Sequence, residues 1–131
     1  MPTILIIEDE ELDRKVLHSI LLSAGYEVVG TARTGKEGLH LFKALSPDLV
    51  TLDLIMPVMN GMDVLLELMK EENKPNVLIC TSANSDPVVD LAMRYGAKGY
   101  ILKPFQAKSL LQTVKSVVGY PDPSRKNVWS F

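Results

Sequence analysis

Short apolar runs alternate along this chain with longer stretches in which apolar residues recur every three or four positions. Runs suited to buried strands occupy residues 4–7, 49–52 and 77–80, with shorter ones at 26–29 and 99–102. Between them, Leu12, Val16, Leu17, Ile20 and Leu21 fall on one predicted helical face, as do Leu39, Phe42 and Leu45. Leu65, Leu68 and Met69 form a third stripe, and Leu110, Leu111, Val114, Val117 and Val118 the last. A weaker helical pattern runs from Asp86 to Tyr95.

Local signals place the helix ends. Thr34-Gly35-Lys36-Glu37 fits a capping box, and Asp86-Pro87 sets a capping carboxylate before a proline at the first helical position. Gly25, Gly96 and Gly119 stand just past helical stretches, where a left-handed residue is wanted. Five strands alternating with five helices imply one parallel sheet with helices on both faces. Residues 1–119 read as a single domain. Residues 120–131, "YPDPSRKNVWSF", lose the apolar period and read as a tail or the start of a linker.

Composition narrows the function classes. The chain has 131 residues, 47% hydrophobic and 23% charged, which suits one globular domain and excludes general disorder. A net charge of -2 leaves no broad basic footprint, so direct nucleic-acid binding is not expected. The single Cys80 excludes an intrachain disulfide framework and a multi-cysteine zinc site, and is expected to pack as a small buried hydrophobe. No apolar run approaches membrane-spanning length, and the expected compartment is the cytoplasm.

The chemistry gathers at strand ends. The first strand runs into Glu8 and Asp9, the third ends at Asp53, the fourth at Thr81 and Ser82, the fifth at Lys103. In a parallel sheet these groups share the carboxyl edge, where such sheets bind ligands. Three carboxylates without histidine or cysteine suit a hard divalent cation, magnesium (Mg2+) foremost, with manganese (Mn2+) able to substitute. The cation would offset their mutual repulsion. A carboxylate can also act as nucleophile and accept a phosphoryl group, and Asp53 flanked by cation, lysine and hydroxyl meets that need.

Each of these residues alone has a plainer reading. An acid near a helix start is favoured by the dipole, an aspartate before a turn caps it, and a strand-end threonine follows propensity. Glu10 and Glu11 keep that plainer reading as acids at the start of the first helix. His18 and His40 are expected to face solvent. Met56, Met59 and Met62 are expected to pack the loop after Asp53.

Taken in order, "ILIIEDEE", "DLVTLDLIMPVMNGMDVL", "VLICTSA" and "GAKGYILKPF" resemble the receiver domains of two-component response regulators over about residues 3–119. The resemblance implies a flavodoxin-like (βα)5 fold, a doubly wound five-stranded parallel sheet. It implies Asp53 as phosphoacceptor, with Glu8, Asp9, Asp53 and the backbone carbonyl of Ile55 as metal ligands. Thr81 becomes the switch hydroxyl, Lys103 the phosphoryl contact and Tyr100 the switch aromatic, while Ser82 and Ala83 line the site. A cis Lys103-Pro104 bond is implied as well. Glu8 stands where many receivers have aspartate, so its metal contact is either direct or through water.

The implied partners are a sensor histidine kinase or phosphotransfer protein and an output protein docking on the 86–118 face. The implied role is signalling rather than enzymatic, beyond the chain promoting its own phosphorylation and dephosphorylation. A flavin- or nucleotide-binding role is disfavoured, because four acids follow the first strand where a phosphate cradle would be. An aspartyl phosphatase is disfavoured because the candidate nucleophile sits on the third strand. The missing acid after Gly96-Ala97 makes the chain look more like stand-alone chemotaxis regulators than the dimerising transcription factors. The alternative is the receiver of a longer regulator with a DNA-binding or enzymatic output domain.

Overall fold

In a computed structural model of the chain, residues 2–56, 58–82 and 87–121 are described. The expectations on Ala83, on Asp86 and on the segment after 121 lie outside them. Among the described residues ten elements alternate: β1 (Thr3–Ile7), α1 (Glu11–Ser23), β2 (Glu27–Ala32), α2 (Gly35–Leu45), β3 (Leu49–Asp53), α3 (Gly61–Met69), β4 (Asn76–Thr81), α4 (Pro87–Arg94), β5 (Gly99–Leu102) and α5 (Ala107–Val118). The strands form one parallel sheet in the order β2-β1-β3-β4-β5. This is the flavodoxin-like (βα)5 fold.

The central strands are apolar at nearly every position because both their faces are covered. Successive residues of β1 feed opposite layers. Leu5 and Ile7 join Val50, Leu52, Val77 and Ile79 beneath α2, α3 and α4. Ile4 and Ile6 join Leu49, Leu78 and Cys80 beneath α1 and α5. Cys80 is buried, as expected. A fully buried leucine or isoleucine contributes about 1.5–3 kcal/mol, so these two layers supply most of the drive to fold.

Two helix faces differ from the expected stripes. Leu12 and Val16 are exposed, at 72% and 37%. The residues of α1 that face the sheet are Arg14, Leu17 and Leu21. Val16 lies about 100° around the helix from Leu17, and Leu12 about 140°, outside a stripe that also accommodates an arginine. On α2 the buried face is Gly35, Gly38 and Phe42, with Leu45 left half-exposed in the last turn.

Strand β2 also departs from expectation. It starts one residue later and runs on to Ala32, through Gly30 and Thr31, with a register shift opposite Ile4 and Leu5. Its glycine hid it, yet Gly30 is where the Leu45 side chain closes over the strand. Tyr26, expected in the strand, instead buries its ring and donates its hydroxyl to the Gly119 carbonyl at 2.8 Å.

The helix ends follow the local signals. Thr34 accepts from the Glu37 N–H at 3.1 Å, while the Glu37 carboxylate reaches back to the Arg33 N–H at 2.9 Å, one residue earlier than a capping box prescribes. Gly25, Gly96 and Gly119 all have positive φ. Asn60, a cap not anticipated, accepts from the Asp63 N–H and starts α3.

The order of strands reverses between β1 and β3. The chain winds outward from β1 to β2 on one side, then from β3 through β5 on the other. A crevice therefore opens at the carboxyl ends of β1 and β3.

Candidate functional site

The crevice collects the predicted residues. Glu8 and Asp53 are buried at 1% and 5% exposure, Thr81 is buried at the end of β4, and Asp9 is partly buried. One carboxylate oxygen from each of Glu8, Asp9 and Asp53 lies within 4.8 Å of the others. Asp9, Asp53 and Thr81, with Lys103, Ser82 and the exposed Ile55, line an open cleft of about 720 Å³.

Backbone contacts set each group. The Glu8 N–H donates to Ala32 O at 2.9 Å, which extends the β1 edge by one residue and turns the chain toward α1. Arg14, buried under the turn, donates from Nη1 to the carbonyls of Glu8 at 3.0 Å and Asp9 at 3.4 Å. Two carbonyls of a tight turn are thereby satisfied by one guanidinium. Glu8 Oε2 accepts from the Glu10 N–H at 3.1 Å, so this carboxylate sits against the amino end of α1, where the helix dipole favours it.

Asp53 is fixed from both sides. Its Oδ1 accepts from the Ile55 N–H at 3.2 Å, and Gly61 N–H donates to Leu54 O at 2.9 Å. The first residue of α3 has to be small: a Cβ on Gly61 would run into the Asp53 carbonyl and the Leu54 Cα. The helix thus presses directly on the backbone that carries the acid.

Lys103 supplies the positive charge. Its N–H donates to Thr81 O at 2.8 Å, and the cis Lys103-Pro104 bond follows it. The ammonium meets Glu8 Oε1 at 2.7 Å, Asp13 Oδ2 at 3.1 Å and Asp53 Oδ2 at 3.7 Å. Burial works against its charge, but the Glu8 contact and the charges of Asp53, Glu8 and Asp13 hold the ammonium pKa above the usual lysine range.

Asp53 moves in the less usual direction. Loss of water around it, then its carboxyl neighbours Asp9 and Glu8, push its pKa up from 3.8 to about 8, with Lys103 pulling the other way. Positive charge placed among these oxygens would favour the ionised form of Asp53. The donor set fits such a charge. It is all oxygen, and Asp9 Oδ1 is buried with no hydrogen-bond partner among the described residues. Both oxygens of Glu8 are already engaged, one by Lys103 and one by the Glu10 N–H.

Tyr100 stands apart from this group on β5, half-exposed. Two participants escaped the sequence reading, Asp13 and Arg14. Their one signal is spacing: Arg14 falls three residues before Leu17 and seven before Leu21, on the stripe that faces the sheet.

The chain matches the model of the response regulator receiver domain over residues 4–115. The chemotaxis protein CheY of Thermotoga maritima is 38% identical over 114 residues, covering 87% of this chain and 95% of that protein. A probable transcriptional regulator, ycf27 of Porphyridium aerugineum, is also 38% identical, covering 95% of this chain and 51% of its own length. Among solved structures, the CheX–CheY–BeF3–magnesium complex of Borrelia burgdorferi aligns with a TM-score of 0.83 at 32% identity, over 88% of this chain and 87% of that one.

Proposed function

The chain belongs to the response regulator receiver domain family, and on that premise we propose that Asp53 accepts a phosphoryl group from the phosphohistidine of a sensor histidine kinase or phosphotransfer protein. One observation carries the reading: Asp53 lies buried in the β1/β3 crevice, within reach of Glu8, Asp9 and Lys103.

In the transfer, an oxygen of Asp53 bonds to phosphorus as the bond from phosphorus to the imidazole nitrogen breaks, and the nitrogen keeps the electron pair. Asp9, Asp53 and the Ile55 carbonyl would hold magnesium, or manganese in its place, with Glu8 reaching it through water. When bound, the cation would keep Asp53 ionised and offset the charge of the incoming phosphoryl group. Lys103 takes one phosphoryl oxygen and the Thr81 hydroxyl another. As Thr81 moves inward, space opens into which Tyr100 turns.

The half-exposed Val88, Leu91, Tyr95, Tyr100 and Leu102 then change what the α4–β5–α5 face offers an output protein. The chain would act as a cytoplasmic signalling protein that turns over its own phosphoryl group, rather than as an enzyme on a separate substrate. Output through a separate partner is the reading that its likeness to CheY supports. The likeness to ycf27, which is about twice as long as the matched region, supports the alternative of an attached output domain.

The test is phosphorylation by acetyl phosphate with and without magnesium, with the modified residue mapped by mass spectrometry. Wild type should gain one acid-stable, base-labile phosphoryl group on Asp53, and only with the cation. Asp53→Asn should gain none. Equal stoichiometry in that variant overturns the assignment.

A further inference from the structure

We infer that Asp13 is a positioning residue that holds Lys103 away from Asp53 and so sets how readily the site takes up a phosphoryl group; this rests on the acceptor reading of Asp53 above. Among the described residues, Asp13 is the one carboxylate paired with the ammonium that stands outside the oxygen group of Glu8, Asp9 and Asp53. It comes from the first turn of α1, whereas Lys103 follows β5, so their contact bridges the crevice.

A helix-start acid is ordinarily there for the dipole alone. Glu11, in the same turn, behaves that way. It pairs with Lys15 at 3.1 Å, and both side chains are about two-thirds exposed. Asp13 instead lines the cleft and meets a lysine whose side chain is only 14% exposed. The resulting distances are ordered: 2.7 Å to Glu8, 3.1 Å to Asp13 and 3.7 Å to Asp53. The lysine is thus ion-paired at close range with two carboxylates that do not react and stands farther from the one that does.

An ammonium has three donors. It can keep Glu8, which is buried and fixed on its other oxygen by the Glu10 N–H, and turn toward a phosphoryl oxygen on Asp53. What opposes that approach is the pull of the Asp13 carboxylate, which holds the ammonium at 3.1 Å while Asp53 stands at 3.7 Å. Every approach of Lys103 to the phosphoryl group therefore competes with that ion pair. Removing the Asp13 charge should leave the ammonium closer to Asp53 and make the cleft less repulsive to an anionic donor.

The test combines kinetics with a structure. With acetyl phosphate, the Asp53–phosphorus bond forms as the phosphorus–oxygen bond to acetate breaks and acetate departs with the pair. Asp13→Asn should accept the phosphoryl group about two- to fivefold faster than wild type, the size of a partly exposed ion pair, and the gain should shrink with added salt. The gain should be smaller with phosphoramidate, a donor of lower charge. Asp13→Glu should restore the slow rate.

In a metal-free crystal of Asp13→Asn, Lys103 Nζ should move inside 3.7 Å of Asp53 Oδ2. A purely structural role for Asp13 would lower the melting temperature and slow both donors alike, which overturns the inference. So does an unmoved lysine, or a rate equal to wild type. A wild-type chain that acetyl phosphate leaves unmodified overturns the acceptor reading instead, while the lysine position still decides whether Asp13 holds it.

Discussion

At the scale of single residues, the site and the core place opposite demands on buried polar atoms. Glu8 and Asp53 are buried and Asp9 partly so, with their carboxyl groups close together, which makes ionising all three costly and creates the demand for a cation. Thr51 is buried in the same strand as Asp53, at 1% exposure, and its hydroxyl has no hydrogen-bond partner among the described residues. Replacing it with the isosteric valine removes an unsatisfied hydroxyl and keeps the volume. Thr51→Val should therefore stabilise the fold by about 1 kcal/mol in urea denaturation, with phosphorylation unaltered. The acids, Thr81 and Lys103 were legible in the sequence because each ends an apolar run, and strand ends converge in a parallel sheet. Asp13 and Arg14 were not, because they lie inside a helix whose apolar residues suggested a different inward face. An arginine on a buried stripe becomes sensible only once the two carbonyls it serves are in view.

Among the elements, α3 is the one whose position bears most directly on chemistry. Alanine in place of glycine inside a helix normally gains about 1 kcal/mol. At the first position of α3 the sign reverses, because the added methyl meets the Asp53 carbonyl and the Leu54 Cα, both of them backbone. Gly61→Ala should cost about 2 kcal/mol and slow phosphorylation of Asp53 together, as the helix backs away and takes the acid with it. A stability loss with an unchanged rate would mean that the loop, not the helix, sets Asp53. The order of elements was readable from the alternation of periods, and the central strands from their unbroken apolar runs. The far half of β2 was not readable, since Gly30 interrupts its pattern and the reason for that glycine is Leu45, fifteen positions away. Edge strands and one-sided helices carry weaker patterns than a strand buried on both faces, and the differences between expectation and structure fall there.

For the molecule as a whole, burial of Asp53 ties stability to pH and to the cation through a single proton. With its pKa at 3.8 in the unfolded chain and about 8 in the fold, the native state keeps a proton over that window that the unfolded state has already lost. The native form then binds more protons, so the slope of unfolding free energy against pH is negative. Metal-free protein should lose stability as pH rises from about 4 to about 8, the reverse of the usual behaviour of a salt-bridged aspartate. The high lysine pKa of Lys103 does not alter this, because its loss of charge falls above the window. A divalent cation binds the ionised form, so protons and magnesium compete for the same carboxylate. Magnesium should therefore raise the melting temperature little at about pH 5 and substantially at about pH 8.5, with apparent affinity rising between them. Asp53→Asn carries no titrating group at this position. In the absence of the cation it should be more stable than wild type at about pH 8.5, and its response to magnesium should be weak at both values. Thermal melts of the two proteins at the two pH values, with magnesium and with chelator, measure all four differences. A wild-type chain whose metal-free stability rises across that range would show that Asp53 is ionised in the native crevice without the cation, with Lys103 alone sufficient to hold its charge.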